Sequence, residues 1–389
     1  MSADPLDRLA DGLREALVEA AAAAPDVPPA ERIAALVERE AALLDAPTRA
    51  ELTRRVTERA LGLGPLQPLL EDPAVDEVLV SGLSPVWVER AGRLEQTAVR
   101  FASEAQLRDV IERVLAPTGR RVDEASPLAD ARLPDGSRVN VVLPPLAVDG
   151  PALTIRRFRP RGFSGEDLVA AGTLTEPLLG FLARAVRARA TLLVCGGTGS
   201  GKTTTLNALS AFIGDGERVV TIEDAAELRL RQPHVVRLEA RPPSLEGRGE
   251  VTIRALVRNA LRMRPDRIVV GEVRGPEALD LLSALSSGHD GSLSTVHAGS
   301  PAEALRRLET LALMAGVGLP HDAIRQQVAD AVDLVVFQRR LPDGGRTVTE
   351  VAEVVRVAGG PGVRTIYSLR DGRPCWRAGL SDGLAERLA

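Results

Sequence analysis

Apolar and polar positions follow three different patterns along the chain. Over residues 4–61, Leu6, Leu9, Leu13 and Leu17, then Ile33, Leu36, Val37, Leu43 and Leu44, recur at helical spacing, with Pro25, Pro28, Pro29 and Pro47 as breaks. A small module of three helices is expected there. From Gly62 the pattern becomes that of short strands, at residues 75–80 and 85–89, followed by a helix that Ser103 caps and that carries Leu107, Val110, Ile111 and Val114. Asp135-Gly136 then turns a hairpin between residues 131–133 and 138–142. These elements predict a compact α+β domain ending near Asp149-Gly150-Pro151. A strand around Leu153 to Ile155 then leads into a linker dense in arginine.

The third region alternates strand with helix. Apolar runs at residues 192–195, 218–222, 234–238, 267–270 and 291–296 read as strands. Between and after them, residues 252–263, a segment from Pro276 and one opened by Ser300-Pro301-Ala302-Glu303 read as helices. Such alternation predicts a mostly parallel sheet covered on both faces, with any ligand at the carboxyl ends of its strands. Hairpin signals at residues 343–345 and 359–362 predict antiparallel strands in the tail, from Val332 to Trp376. The expected division is a helical module at 1–61, an α+β domain at 62–150, an arginine-rich linker at 151–165 and an α/β domain at 166–389.

The first strand of the α/β region runs into a glycine-rich turn and then a helix: Leu192-Leu193-Val194-Cys195, then Gly196-Gly197-Thr198-Gly199-Ser200-Gly201, then Lys202-Thr203-Thr204. Glycines permit positive φ and let successive backbone N–H groups converge on an anion. The GxxxxGKT spacing assigns residues 196–204 to nucleotide phosphates, with Lys202 reaching the β- and γ-phosphates and Thr203 on Mg²⁺. Composition sharpens this reading, because 48 of the 49 basic residues are arginine and the one lysine is Lys202. A compact ammonium suits a phosphate cradle.

Phosphoryl transfer to water also needs a positioned water and positive charge. Glu272 stands just after a predicted strand, where it could hold Mg²⁺ or polarise water; the alternative is a surface glutamate. Glu223, with Asp224 and Glu227, forms a second acidic group at a strand end. His297 ends another strand and could sense the γ-phosphate, while His289 is weighed as structural. Arg254, Arg258 and Arg262 share a helix face. The remaining candidates for positive charge are Arg138 after the hairpin and Arg156-Arg157 entering the linker.

Charge and composition exclude several classes. The net charge of -4 gives no bulk attraction to nucleic acid or anionic lipid, and nine aromatic residues are too few for a base-stacking channel. No nucleic-acid partner is expected, so a translocase on nucleic acid is disfavoured. Two cysteines offer neither a disulfide framework nor a metal quartet. The start lacks a signal-peptide pattern and no uncharged apolar run reaches ~18 residues. A cytoplasmic protein with peripheral membrane contact is expected.

GGTGSGKTT, TIEDAAEL, RPDRIVVGEVRG and GHDGSLSTVHA, in that order, resemble the phosphate loop, acidic box, Walker B segment and histidine box of the type II/type IV secretion ATPases. The tight-adherence and Flp pilus assembly ATPases look like the closest branch. Upstream, GRRVDEASPLADARLPDGSRVNVVLPP and LTIRRF extend the resemblance to roughly residues 61–337. Ser81-Gly82 stands where Asn-Gly is usual, and Gly299 where Asn is. The resemblance implies a RecA-like P-loop domain in a two-lobed subunit and a homohexameric ring using ATP and Mg²⁺. It also implies an inner-membrane platform protein of a pilus or secretion system as partner, at the cytoplasmic face. By motif, Lys202 and Thr203 bind phosphates and metal, Glu272 is the Walker B acid, Glu223 belongs to the acidic box and His297 to the histidine box. Arginines of the upstream lobe would approach the γ-phosphate. A scaffold that binds ATP without turnover is the alternative, and it would not need both Glu223 and Glu272.

Overall fold

A computed structural model describes residues 29–60 and 62–389 apart from 84, 91, 134, 159–161, 244–247, 358–359, 371 and 378. It also describes 5, 6, 9, 10, 12, 13, 16 and 27. Leu17, Pro25, Pro28, linker residues 159–161 and Gly359, which figure in the expectations above, lie outside the described residues. The chain divides into two compact units, residues 1–158 and 159–389.

In the first unit, helices Pro29–Glu40 and Ala46–Ala60 pack through Ile33, Leu36, Val37, Leu52 and Val56. The described positions among residues 5–16 are helical, and Ala10 and Leu13 join this cluster. Leu43, expected on the buried face, is fully exposed because the helix stops at Glu40.

The rest of the unit is a six-stranded antiparallel sheet of β1 (Val75–Ser81), β2 (Val86–Arg90), β3 (Arg93–Gln96), β4 (Leu128–Arg132), β5 (Arg138–Val142) and β6 (Ala152–Arg156), ordered β3-β2-β1-β6-β5-β4. Period-2 alternation sends Val78, Ile155 and Val139, which lie side by side across β1, β6 and β5, into one core. There they meet Leu107, Val110, Ile111 and Val114 of helix Glu104–Leu115, which Ser103 caps by accepting from Gln106 N–H at 3.2 Å. The strand expected inside a 151–165 linker is β6, which occupies the centre of this sheet. The division between units therefore falls after Phe158, not at residue 150.

The second unit holds a nine-stranded sheet. Its strands are β7 (Leu192–Gly196), β8 (Val219–Glu223), β9 (Val235–Glu239), β10 (Arg267–Val270), β11 (Leu293–His297), β12 (Leu334–Arg340), β13 (Arg346–Val357), β14 (Gly360–Arg370) and β15 (Arg373–Trp376). The order is β15-β14-β13-β12-β7-β11-β10-β8-β9; strands β12 through β9 in that order are parallel, and the tail strands β13 to β15 are antiparallel.

Alternate residues of β7 feed two separate cores. Leu193 and Cys195 pack with helices Ile253–Ala260, Glu277–Leu285, Pro301–Leu313 and His321–Ala331, whereas Leu192 and Val194 pack with helices Glu176–Arg187 and Lys202–Ser210. Burial on both faces is what a continuous apolar run in a parallel sheet signifies.

Arg267 anchors the opposite end of β10. Its side chain is 1% exposed, forks onto Glu217 at 2.8 and 2.9 Å, and donates to the carbonyls of Val186 and Gly291 at 2.8 and 2.9 Å. A guanidinium with this many partners at fixed geometry can be buried intact.

Candidate functional site

The glycine-rich turn joins β7 to helix Lys202–Ser210 at the carboxyl end of the sheet. Gly199 and Gly201 have φ of 69° and 92°, and Gly201 is the N-cap, so a side-chain cap is absent and the first helical N–H groups face the loop. Gly196 is required for space: a Cβ there would run into the Gln338 carbonyl and Ser200 Oγ. Ser200 Oγ is itself buried without a hydrogen-bond partner, a polar atom aimed into the loop. Gln338 lies beside Gly196 in register on β12 and accepts from Thr205 Oγ1 at 2.7 Å in a buried bond, fixing the first turn of the helix.

Lys202 Nζ donates to the Gly197 carbonyl at 3.1 Å, curling over the loop. Burial pulls its pKa below the ordinary lysine value, opposed by the negative charge of Glu272. Next to the loop, burial pushes the Cys195 thiol far above its usual range, so it is an inert core residue.

Only β11 separates β7 from β10. Glu272, half-buried, follows the end of β10, and the turn it occupies is held at two points: Thr295 Oγ1 donates to the Gly271 carbonyl at 2.6 Å, and Val273 N–H donates to the Thr295 carbonyl at 2.8 Å. Lys202 and Glu272 thus stand at one end of the sheet, two strands apart. His297 is exposed at the end of β11, directly beside Gly196 in register. His289, by contrast, sets Nδ1 3.1 Å from the Ala284 carbonyl, where it caps a helix end.

Glu223 ends β8, next to β10, but its carboxylate points inward. It accepts from Glu227 N–H at 2.9 Å and from Leu228 N–H at 3.0 and 3.2 Å, and its Cγ lies 2.9 Å from where a Cβ on Gly271 would be. Burial raises its pKa to about 7 against the pull of those two N–H groups. Asp224 pairs instead with Arg274, the second residue after Glu272, tying the two acidic segments together. Arg254 and Arg258 both reach Asp280 at 2.6 Å, so this part of the arginine stripe joins two helices of the domain.

In the first unit, Arg138 and Arg156 are opposite each other on β5 and β6, on the face away from the core, with Arg156 Nε 3.7 Å from Glu77. Arg157 differs from both: it donates to the Asp72 carbonyl and, at 3.2 Å, to that of Val75, which ties it to the backbone of its own unit.

Sequence reasoning missed three residues at the phosphate loop, Gln338, Arg340 and Arg346, all from the β12–β13 hairpin. The signal for their strands was present, but only the register of β12 on β7 brings them to the loop.

The family model described as type II/IV secretion system protein matches residues 59–362. The chain belongs to that family. Among relatives of this chain, a putative conjugal transfer protein of Mycobacterium tuberculosis (strain CDC 1551 / Oshkosh) is 42% identical over 334 residues, covering 84% of this chain and 94% of that one. The type IV secretion system protein PtlH of Bordetella pertussis (strain Tohama I) is 38% identical over 313 residues, covering 72% and 90%. The crystal structure of the pilus retraction motor PilT with bound ADP superposes with a TM-score of 0.52 at 20% identity, covering 76% of this chain and 83% of that one. That likeness shows the fold, which is RecA-like. No described helix is long and apolar enough to cross a membrane.

Proposed function

We propose that this secretion-family chain is an ATP-hydrolysing motor of a pilus, conjugation or secretion system. The observation that carries the reading is the placement of Lys202 on the phosphate loop and Glu272 two strands away at the same end of the sheet. The backbone N–H groups of residues 199–204 and Lys202 would hold the phosphates, and Thr203 and Glu272 would hold Mg²⁺. Hard oxygen donors suit that ion, which takes one or two protein oxygens and completes its shell with phosphates and water. When bound, the ion supplies charge neutralisation on the transferred phosphoryl group.

Glu272 orients and polarises the attacking water. The water oxygen attacks the γ-phosphorus as the bond to the ADP oxygen breaks, giving ADP, phosphate and a proton released to solvent. Lys202 neutralises charge on the phosphates, and His297, beside Gly196, senses whether a γ-phosphate is present. Glu223 acts as a positioning residue that holds the loop from Glu223 to Leu228 under Gly271. Arg138 and Arg156 are proposed to supply transition-state charge, from the same subunit or a neighbour in a hexameric ring. Arg157, bonded to its own unit's backbone, is given a structural role. Lobe closure around such a ring would convert hydrolysis into movement against an inner-membrane platform protein, with the chain at the cytoplasmic face. The tight-adherence branch is part of this proposal. The names of the relatives, which speak of conjugal transfer and type IV secretion, favour no single cargo.

The test is Glu272→Gln. It is expected to keep ATP binding and to lower phosphate release by orders of magnitude. Turnover equal to the parent's would remove Glu272 from the chemistry.

A further inference from the structure

The phosphate loop has two flanks. Glu272 and His297 come from β10 and β11 on one side of β7, and the β12–β13 hairpin stands on the other. Arg340, the last residue of β12, and Arg346, the first of β13, face each other across that hairpin. Arg346 Nε donates to the Gly199 carbonyl at 3.0 Å. Arg340 Nη1 lies 3.3 Å from the point a Cβ on Gly199 would occupy, and Arg346 Cδ lies 3.1 Å from the corresponding point on Gly201. The two glycines that must adopt positive φ are therefore also the two against which the arginine side chains rest. Together with Lys202, three cationic side chains converge on a turn of six residues.

The geometry points to a clamp of hairpin arginines, contributed by the same unit as the phosphate loop, that holds the nucleotide on the flank away from Glu272. This inference rests on the nucleotide-binding reading of the loop and adds a second set of charges to it. Arg346 is a positioning residue: its bond to Gly199 O fixes the apex of the turn and with it the direction of the N–H groups that follow. Arg340 contacts the bound nucleotide. Because the γ-phosphate chemistry belongs to the Lys202–Glu272 flank, the oxygens that meet Arg340 are those shared by the di- and triphosphate. The clamp thus sets affinity for ATP and ADP alike and leaves the chemical step to the opposite flank.

The experiment is calorimetric titration of the full chain with Mg²⁺·ADP and with a non-hydrolysable Mg²⁺·ATP analogue, paired with steady-state phosphate release, on Arg340→Ala, Arg340→Lys, Arg346→Ala and Lys202→Ala. A charge-assisted hydrogen bond lost to a phosphate corresponds to about a 10- to 100-fold rise in Kd. Arg340→Ala is expected to show that rise equally for both nucleotides, with kcat at saturating ATP within about two-fold of the parent, as expected when an interaction common to ground and transition states is removed. Arg340→Lys recovers part of the affinity, because the charge is retained, and this recovery separates contact with nucleotide from a packing role. Arg346→Ala raises both Kd values and KM through the loosened loop.

Unchanged Kd values in Arg340→Ala would overturn the clamp. So would a loss confined to the triphosphate and accompanied by a fall in kcat, which would put Arg340 on the reacting phosphate. Lys202→Ala reports separately on the underlying reading: if it binds both nucleotides as the parent does, the phosphate-loop assignment itself has failed.

Discussion

Replacing Glu223 with glutamine tests whether this carboxylate is a buried loop anchor. Glu223 is 4% exposed, and burial lifts its pKa from 4.5 to about 7. In the unfolded chain it titrates near its ordinary value, so between about pH 4.5 and 7 the folded state holds a proton that the unfolded state has lost. Stability attributable to this group is therefore fully present below the unfolded pKa and falls as the pH rises through that window, levelling off above the folded pKa. A displacement of this size corresponds to roughly 3 kcal/mol across the window, as an order of magnitude. Glu223→Gln cannot ionise and escapes that loss. It does incur a pH-independent cost. Its oxygen can take the place that receives both Glu227 and Leu228 N–H, but its amide nitrogen then confronts Leu228 N–H, which also bonds the second oxygen at 3.2 Å. The readout is therefore the difference between the urea-unfolding free energies of variant and parent, measured from pH 5 to pH 8. That difference should shift in favour of the variant as pH rises. Parallel curves over the whole range would refute the reasoning.

Arg267→Met removes a guanidinium that is 1% exposed; Glu217 keeps Arg189 at 2.8 Å and Gly214 N–H at 3.1 Å but loses the fork, and the Gly291 carbonyl loses the donor that reaches it at 2.9 Å, so about 1–3 kcal/mol of stability should be lost by urea unfolding. A loss under about 1 kcal/mol would mean that the pair is not formed. Lys202 should be acylated in the free chain, and Mg²⁺·ATP should protect it. As the chain holds one lysine, peptide mapping separates this site from the terminal amine, and unprotected labelling would contradict nucleotide contact.

Elements with a local cause were legible in the sequence. Ser103 before an apolar helical repeat, the Asp135-Gly136 turn and the buried run before Gly196-Gly197 each found their place, because caps, tight turns and two-faced burial leave direct marks on residue type. The Ser300 cap was also visible, although Glu303 reaches back to Gly299 N–H at 2.9 Å where reciprocity predicts the N–H of Ser300 itself. What escaped depends on pairing across long sequence distances. β6 ends in Arg156 and runs on into Arg157, residues that suit a linker, and only its neighbours β1 and β5 make it a central strand. Helix Glu176–Arg187 follows a capping threonine, Thr175, but drew no attention because its residues carry no chemistry. Arg340 and Arg346 are two among 48 arginines, and nothing in their own sequence neighbourhood ties them to Gly199, more than 140 residues earlier. Glu223 was legible as a strand-end acid, but its inward direction was set by the following loop.

The central claim is that one phosphate loop, centred on Lys202, carries ATP hydrolysis in this chain. Its most direct test is phosphate release by the full chain and by Lys202→Ala, measured side by side with Mg²⁺·ATP at matched folded content. The account predicts steady release by the parent and none above background by the variant. Release by Lys202→Ala at the parental rate would contradict it.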